Sequence, residues 1–373
     1  MIKRLFKLLP FVILIFALVT SNLGLFSDNA GRKILLYSSF AYILVYSIIT
    51  NKKSIGVLTK LTMIVIVIAA YEMIFKSITF TDDWVIFLFM DLGMIWIGYF
   101  MRQNKDYNSF RFLLRVYIIV CAFACAYSIT TFDITNAYEF GLKNSQTPLY
   151  LLATIILLLD KDEFPRALHW PLLALTILTI LRMNSRSNVI ALLICMVYIL
   201  YRNRKIVKAY IIDGKHKFVG FAVMCCGLYY SSRILSTISS ALRLYTLSEV
   251  GLERYSADRI PMILAGLRYF DESPFFGIYN TNPMLSEFYV ECFPIEVLVQ
   301  LGIIGALLYI TWFSALGRCL NQHSVVAGNL GIVCFTAMLV VSLFESNAPM
   351  SPGTTYGFAW IVIGYHLSSS QIN

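Results

Sequence analysis

Apolar runs long enough, or nearly long enough, to cross a hydrocarbon layer recur along the whole chain, joined mostly by short polar connections. A backbone in lipid has no water to bond, so runs of this length and uniformity fold as helices. They fall at Phe6 to Phe26, Ile34 to Thr50, Ile55 to Phe75, Trp84 to Met101, Phe112 to Thr130 and Asn144 to Leu159. The second half adds Ala167 to Met183, Ser187 to Tyr201, Phe218 to Leu235, Tyr289 to Trp312, Val325 to Phe344 and Gly353 to Leu367. The expected fold class is an all-α polytopic membrane protein of about twelve transmembrane helices, several near the short limit and therefore tilted or shielded by neighbours. Composition agrees: 58% of the 373 residues are hydrophobic, 14% are charged and mean hydropathy is +0.72. Those values exclude an ordinary soluble or disordered chain.

The net charge of +9 does not point to nucleic acid, because Lys and Arg stand in short clusters between apolar runs, as topology signals do. With the N-terminus in the cytoplasm, Lys52 and Lys53, then Arg102, Lys105 and Arg111, then Lys161 and Arg166 fall inside. So do Arg318 and the cluster Arg202, Arg204, Lys205, Lys208, Lys215 and Lys217, while Arg32 and Lys33 are exceptions. Both termini are then cytoplasmic, and the interval 236–288 is one large external loop containing amphipathic helix. Lys3, Arg4 and Lys7 before the first run imitate a signal peptide, but no convincing cleavage site follows, so that span is expected to be retained. With no internal repeat or linker, residues 1–373 are expected as a single membrane domain.

Of eight cysteines, Cys121, Cys125, Cys195, Cys225, Cys226 and Cys334 lie inside apolar runs without CxxC spacing and read as small core residues. His169, His216, His323 and His366 all fall on the cytoplasmic side, so an external site is expected to work without histidine or metal. Its general base would be a carboxylate or a tyrosine.

The external interval carries Arg243, Arg254, Arg259 and Arg268, where the charge rule predicts few. Either they bind an anionic ligand, or they pair with Glu249, Glu253, Asp258, Asp271 and Glu272 in the same loop. The segment from Ser256 to Tyr279 predicts a helix with Asp258 as N-cap and Pro261 in its first turn. Ile260, Ile263, Leu264, Leu267 and Phe270 form its apolar stripe, Arg259 and Arg268 flank it, and Asp271-Glu272-Ser273-Pro274 ends it. Such a helix lies along the membrane surface or caps a bundle. Arg182 and Arg186, at the outer ends of the seventh and eighth spans, either hold a phosphate at headgroup depth or snorkel. Glu291, at the mouth of the tenth span, is either a proton acceptor or a solvated helix-start carboxylate. Glu72, Asp91, Arg115 and Glu296 lie within spans and are expected to face the bundle interior. Tyr255, Tyr269, Phe275, Phe276, Tyr279 and Tyr289 either stack on sugar rings or seat the loop at the interface.

The block from Arg259 to Pro274-Phe275-Phe276-Gly277, followed by Leu301-Gly302-Ile303-Ile304-Gly305 in a leucine-rich span, resembles the signature of the O-antigen polymerase and O-antigen ligase superfamily. Ser185-Arg186, with Ile190 four positions on, is similar to that family's first arginine motif, and Lys143-Asn144 before the sixth span is similar as well. The resemblance covers the later two thirds of the chain and implies glycosyl transfer from an undecaprenyl pyrophosphate carrier, with inversion and without cofactor or metal. It implies a bacterial inner-membrane location with the active site on the periplasmic face. Arg186 and Arg259 would grip the pyrophosphate, with Arg182, Arg254, Arg268, Lys143, Tyr279 and Tyr289 as substrate-binding residues. Where ligases commonly carry a histidine, eleven residues before the first glycine of the Leu-Gly-Ile-Ile-Gly step, this chain has Glu291, followed by Cys292 in place of asparagine. Glu291 is thus the expected base for the acceptor hydroxyl.

The expected activity is polymerisation of O-antigen or capsule repeat units, with lipid-linked glycans as donor and acceptor and a chain-length regulator as an expected partner. A ligase acting on lipid A core, or a flippase or transporter without catalysis, are the alternatives. Against transport stand the short midpoint connection from Asp160 to Arg166 and the lack of a half-chain repeat.

Overall fold

The structure, a computed structural model, describes residues 2–23, 30–50, 56–75, 83–131, 143–160, 163–183, 185–202, 259–278, 292–327, 330–345 and 355–367. These form twelve helices and no strand: α1 (Ile2–Thr20), α2 (Ala30–Thr50), α3 (Gly56–Phe75), α4 (Asp83–Gln103), α5 (Tyr107–Thr131) and α6 (Lys143–Leu159), then α7 (Arg166–Arg182), α8 (Arg186–Arg202), α9 (Arg259–Phe270), α10 (Phe293–Ala327), α11 (Leu330–Ser342) and α12 (Gly357–Leu367). Eleven answer to expected apolar runs and α9 to the amphipathic helix. The ninth run, Phe218 to Leu235, lies outside the described residues, as does Asp258, the expected cap of α9.

Four helices are long and apolar enough to cross a membrane, at Lys33–Thr50, Gly56–Ile74, Tyr107–Thr131 and Phe293–Asn321. Their outward faces expose Ile49, Val67, Phe123 and Ile310 among other large apolar side chains. A bilayer covers such a belt without cost, whereas water would not, and the chain is a membrane-embedded protein.

Inside the bundle the packing is dense and organised around α12, all of whose eleven residues are buried. A helix apolar on every side has no solvent face and belongs in the middle. Its contact with α4 is backbone against backbone: a Cβ on Gly98 would lie 2.0 Å from the Ile361 carbonyl oxygen, and one on Gly364 would lie 2.0 Å from that of Ile95. Small residues at such a crossing let two helices approach until their main chains touch. Tyr117 and Phe358 stack at 4.2 Å and Phe110 and Tyr365 at 3.6 Å, seating α5 antiparallel against the other side of α12.

The tenth run departs from the straight crossing expected from Tyr289 to Trp312. Phe293 packs against Tyr309 and Phe313 with ring centroids 5.6 and 6.3 Å apart. A straight helix would put the Phe293 and Phe313 backbones about 30 Å apart, so α10 must fold back on itself. The reversal is at Gly302, whose φ of 67° and ψ of −170° are the non-helical values inside α10. Residues 293–301 make a short limb beside the longer limb 303–327, and the stretch 303–321 still spans about 28 Å.

A reversal of this kind frees backbone groups that lipid cannot satisfy. The turn after α9 supplies their partners: Ile303 N–H donates to the Pro274 carbonyl at 2.8 Å and Ile304 N–H to that of Phe275 at 3.3 Å. In return Ile278 N–H donates to Val299 O at 3.1 Å, and Tyr71 OH from α3 donates to Leu301 O at 2.9 Å. The approach is close enough to need glycine on both sides. A Cβ on Gly302 would lie 2.3 Å from Phe275 O, and one on Gly277, at φ 78°, would lie 2.1 Å from Gln300 O. The Pro-x-x-Gly turn and the Leu-Gly-Ile-Ile-Gly step are therefore two halves of one hydrogen-bonded joint, and that joint fixes α9 to α10.

Gly302→Ala combines a left-handed φ with a backbone clash and should destabilise the protein by on the order of 3 kcal/mol. Thermal unfolding in detergent should show a clearly lowered midpoint; an unchanged midpoint would mean the reversal is not built as described.

Candidate functional site

The α7–α8 hairpin sits at the end of the bundle where α1, α3, α5 and α11 also finish. Ser185 caps α8 from outside: Val189 N–H donates to its carbonyl at 3.0 Å, and Asn188 Nδ2 donates to its hydroxyl at 2.8 Å. Arg182 closes α7 in an exposed position and Arg186 opens α8 half-buried.

A carboxylate not anticipated from the sequence lies at the first turn of α8. Glu345, three residues beyond the end of α11, is only 6% exposed, and its Oε1 accepts the Ser187 hydroxyl at 3.0 Å. Its main-chain oxygen accepts Phe293 N–H at 3.3 Å. Glu345 thus joins the N-terminal turn of α8 to the first residue of the short limb of α10. Two helix N-termini, each with a partial positive charge, converge where Arg186 opens α8.

Two buried polar atoms in this region have no hydrogen-bond partner among the described residues: Asn188 Oδ1 and the Tyr356 hydroxyl. The Glu345 carboxylate is near enough to act electrostatically on Tyr356. Buried polar atoms of this kind are normally matched, so their clustering marks a place for a polar occupant. The surrounding layer is also polar. Ser128 hydrogen-bonds Gln146 at 2.9 Å and Tyr150 at 2.7 Å, and Thr355 donates to Asn22 at 3.0 Å. Together these groups can bind an oxyanion at the arginines while the Glu345 carboxylate, hydrogen-bonded to the residue that follows Arg186, accepts or returns a proton.

Of the other expected site residues, Arg268 is exposed near the C-terminal end of α9. Arg259 opens α9 and Lys143 opens α6; their side chains fall outside what is described. Arg254, Tyr279, Tyr289 and Glu291 lie outside the described residues, and Cys292, next to Glu291, is buried. The acids expected to face the interior do so. Glu72 is fully buried and accepts the Tyr309 hydroxyl at 2.9 Å, Asp91 is buried, and Glu296 accepts Gln300 Nε2 at 3.0 Å. Arg115 differs, since it keeps 46% of its side chain exposed and donates to Glu163 at 2.8 Å at the opposite end of the bundle. His169 and His366 are at that opposite end too, so the described histidines are remote from Glu345.

One signal for Glu345 was available in the sequence: it is the first charged residue after the eleventh apolar run, on the same side of the bundle as Arg186. Its burial and its contact with a residue 158 positions away were not readable. Scanned against models of known protein families the sequence matches none, and a search of curated proteins returned no match.

Proposed function

We propose that this protein polymerises lipid-linked oligosaccharide repeat units, as a metal-independent inverting glycosyltransferase of the O-antigen polymerase type. The observation that carries the reading is the joint at Gly302. Two of the motifs that carry the family resemblance, the Pro-x-x-Gly turn and the Leu-Gly-Ile-Ile-Gly step, are bonded to one another and hold the Arg259 helix on the helix whose first residue meets Glu345. In this reading the twelve apolar runs cross a bacterial inner membrane, both termini are cytoplasmic, and the Glu345 end faces the periplasm. The polar groups at that end then meet glycan carried on undecaprenyl pyrophosphate, as donor and as acceptor.

The chemistry is a single displacement. The acceptor hydroxyl attacks the anomeric carbon of the donor, the bond from that carbon to the pyrophosphate oxygen breaks, and undecaprenyl pyrophosphate leaves with the electron pair. Arg186, Arg259 and the two helix N-termini stabilise the charge that builds on the phosphate oxygens. A carboxylate takes the hydroxyl proton. Glu291 is the base that the resemblance implies, and Glu345 is the carboxylate that bonds the first turn of α8, at the residue after Arg186. A ligase transferring to lipid A core would use the same inventory with a different acceptor. A transporter reading has one observation in its favour, since a broken helix whose short limb ends inside the bundle is a device by which carriers hold anions.

Purified protein given lipid-linked repeat units should lengthen them, which a transporter would not do. Arg186→Ala and Arg259→Ala should each slow elongation by about a hundredfold or more; full chain length from either variant would remove it from the pyrophosphate role. Glu345→Gln and Glu291→Gln, compared in the same assay, should separate the base from the bystander, because only loss of the base lowers the rate by about a hundredfold or more. Orientation is tested by Arg268→Cys, an exposed position, with Cys225, Cys226 and Cys319 replaced by serine, since the other five cysteines, Cys121, Cys125, Cys195, Cys292 and Cys334, are buried. A membrane-impermeant maleimide should label it from the periplasmic side of intact spheroplasts, and labelling only after lysis would reverse the topology.

A further inference from the structure

We propose that the cleft between the starts of α5 and α7, at the end of the bundle away from Glu345, binds the phosphate of an anionic lipid headgroup. The cleft has a volume of about 690 Å³, and Arg115, Glu163, Arg166, His169 and Trp170 are among its lining residues. Its floor is a carboxylate that holds two cations in place. Glu163, whose side chain is fully buried, accepts the Nε of Arg111 on one oxygen and the Nε of Arg115 on the other, the latter at 2.8 Å. Bonding through Nε leaves the outer edge of the half-exposed Arg115 guanidinium turned toward whatever fills the cleft. Arg166 adds a third, exposed cation. Even with Asp160 close enough to influence Arg111, the group carries more positive than negative charge.

A second, independent observation points to a ligand. His169 lines the cleft, is 5% exposed, and its Nδ1 has no hydrogen-bond partner among the described residues. A buried ring nitrogen in a wall shared with two arginines is suited to a phosphate oxygen, to which its protonated tautomer donates. The rim decides for a lipid over free phosphate. Trp170 and Leu168, 61% and 47% exposed, present apolar surface beside the cations, at the level where an indole ring sits between headgroups and acyl chains. A soluble anion would have no use for that surface, whereas acyl chains would cover it.

The test uses the full-length protein in a neutral detergent, titrated separately with dioctanoyl phosphatidic acid, dioctanoyl phosphatidylcholine and inorganic phosphate. Phosphatidic acid should raise the thermal midpoint and phosphatidylcholine should not. Arg166→Gln, at an exposed position, should leave the unliganded midpoint unchanged and weaken phosphatidic acid binding at least tenfold. His169→Phe, which keeps the ring and removes Nδ1, should weaken it as well. Inorganic phosphate binding as tightly as phosphatidic acid would overturn the lipid as the source, and unchanged lipid affinity in both variants would overturn the site itself.

Discussion

Where water is absent, each main-chain donor and acceptor must find a partner within the protein, and the reversal in α10 is where that requirement bears hardest. Breaking a helix at Gly302 strips partners from groups on both limbs. They are recovered from two distant places, the turn after α9 and the Tyr71 hydroxyl of α3. The satisfaction of these few bonds sets where α9 lies, forces glycine at Gly277 and Gly302, and lets the short limb bring Phe293 to Glu345. The positions of the polar groups at that end follow from backbone accounting before any side chain is considered.

Much of the helix inventory was legible, because a long apolar run has one economical conformation in lipid. The expected starts and ends of α2, α3, α6, α7 and α8 differ from the observed ones by a few residues at most. The amphipathic stripe of α9 was equally plain, since Pro261 and the Asp271 to Pro274 turn bracket it. The fold-back of α10 was not legible, because a straight helix and a hairpin of two limbs have the same apolar composition, and only the conformation at Gly302 tells them apart. Glu345 was missed for a related reason. A lone acid after an apolar run looks the same whether water or Ser187 receives it, and burial depends on a contact far away in the chain. Arg115 was expected in the bundle interior, but its half-exposed place beside Glu163 depends on a residue of another connection.

The two ends of the bundle handle charge in different ways. At one, two helix starts add their positive potential to Arg182 and Arg186, and Glu345 ties the two starts together, one through its carboxylate and the other through its main-chain oxygen. At the other it comes from guanidinium groups on long side chains, with Arg111 and Arg115 sharing Glu163 and Arg102 reaching Tyr365 at 3.3 Å. Dipoles built into the backbone cannot be rearranged without unwinding a helix, which suits a site where charge must develop at a set point. Long cationic side chains adapt to ligands of varied shape, which suits contact with a lipid surface.

The central position of α12 has a bearing on biogenesis. This helix leaves the ribosome after every element that it touches, including α1, α4, α5, α10 and α11. Until it arrives, the α4 surface around Gly98 and the aromatic face of α5 have nothing to close upon, although α1 with α2, α6 with α7 and α8 with α11 can already pack. Synthesis order thereby places the main-chain contact of α4 with α12 after the other helix contacts of the described residues, as a late closing step.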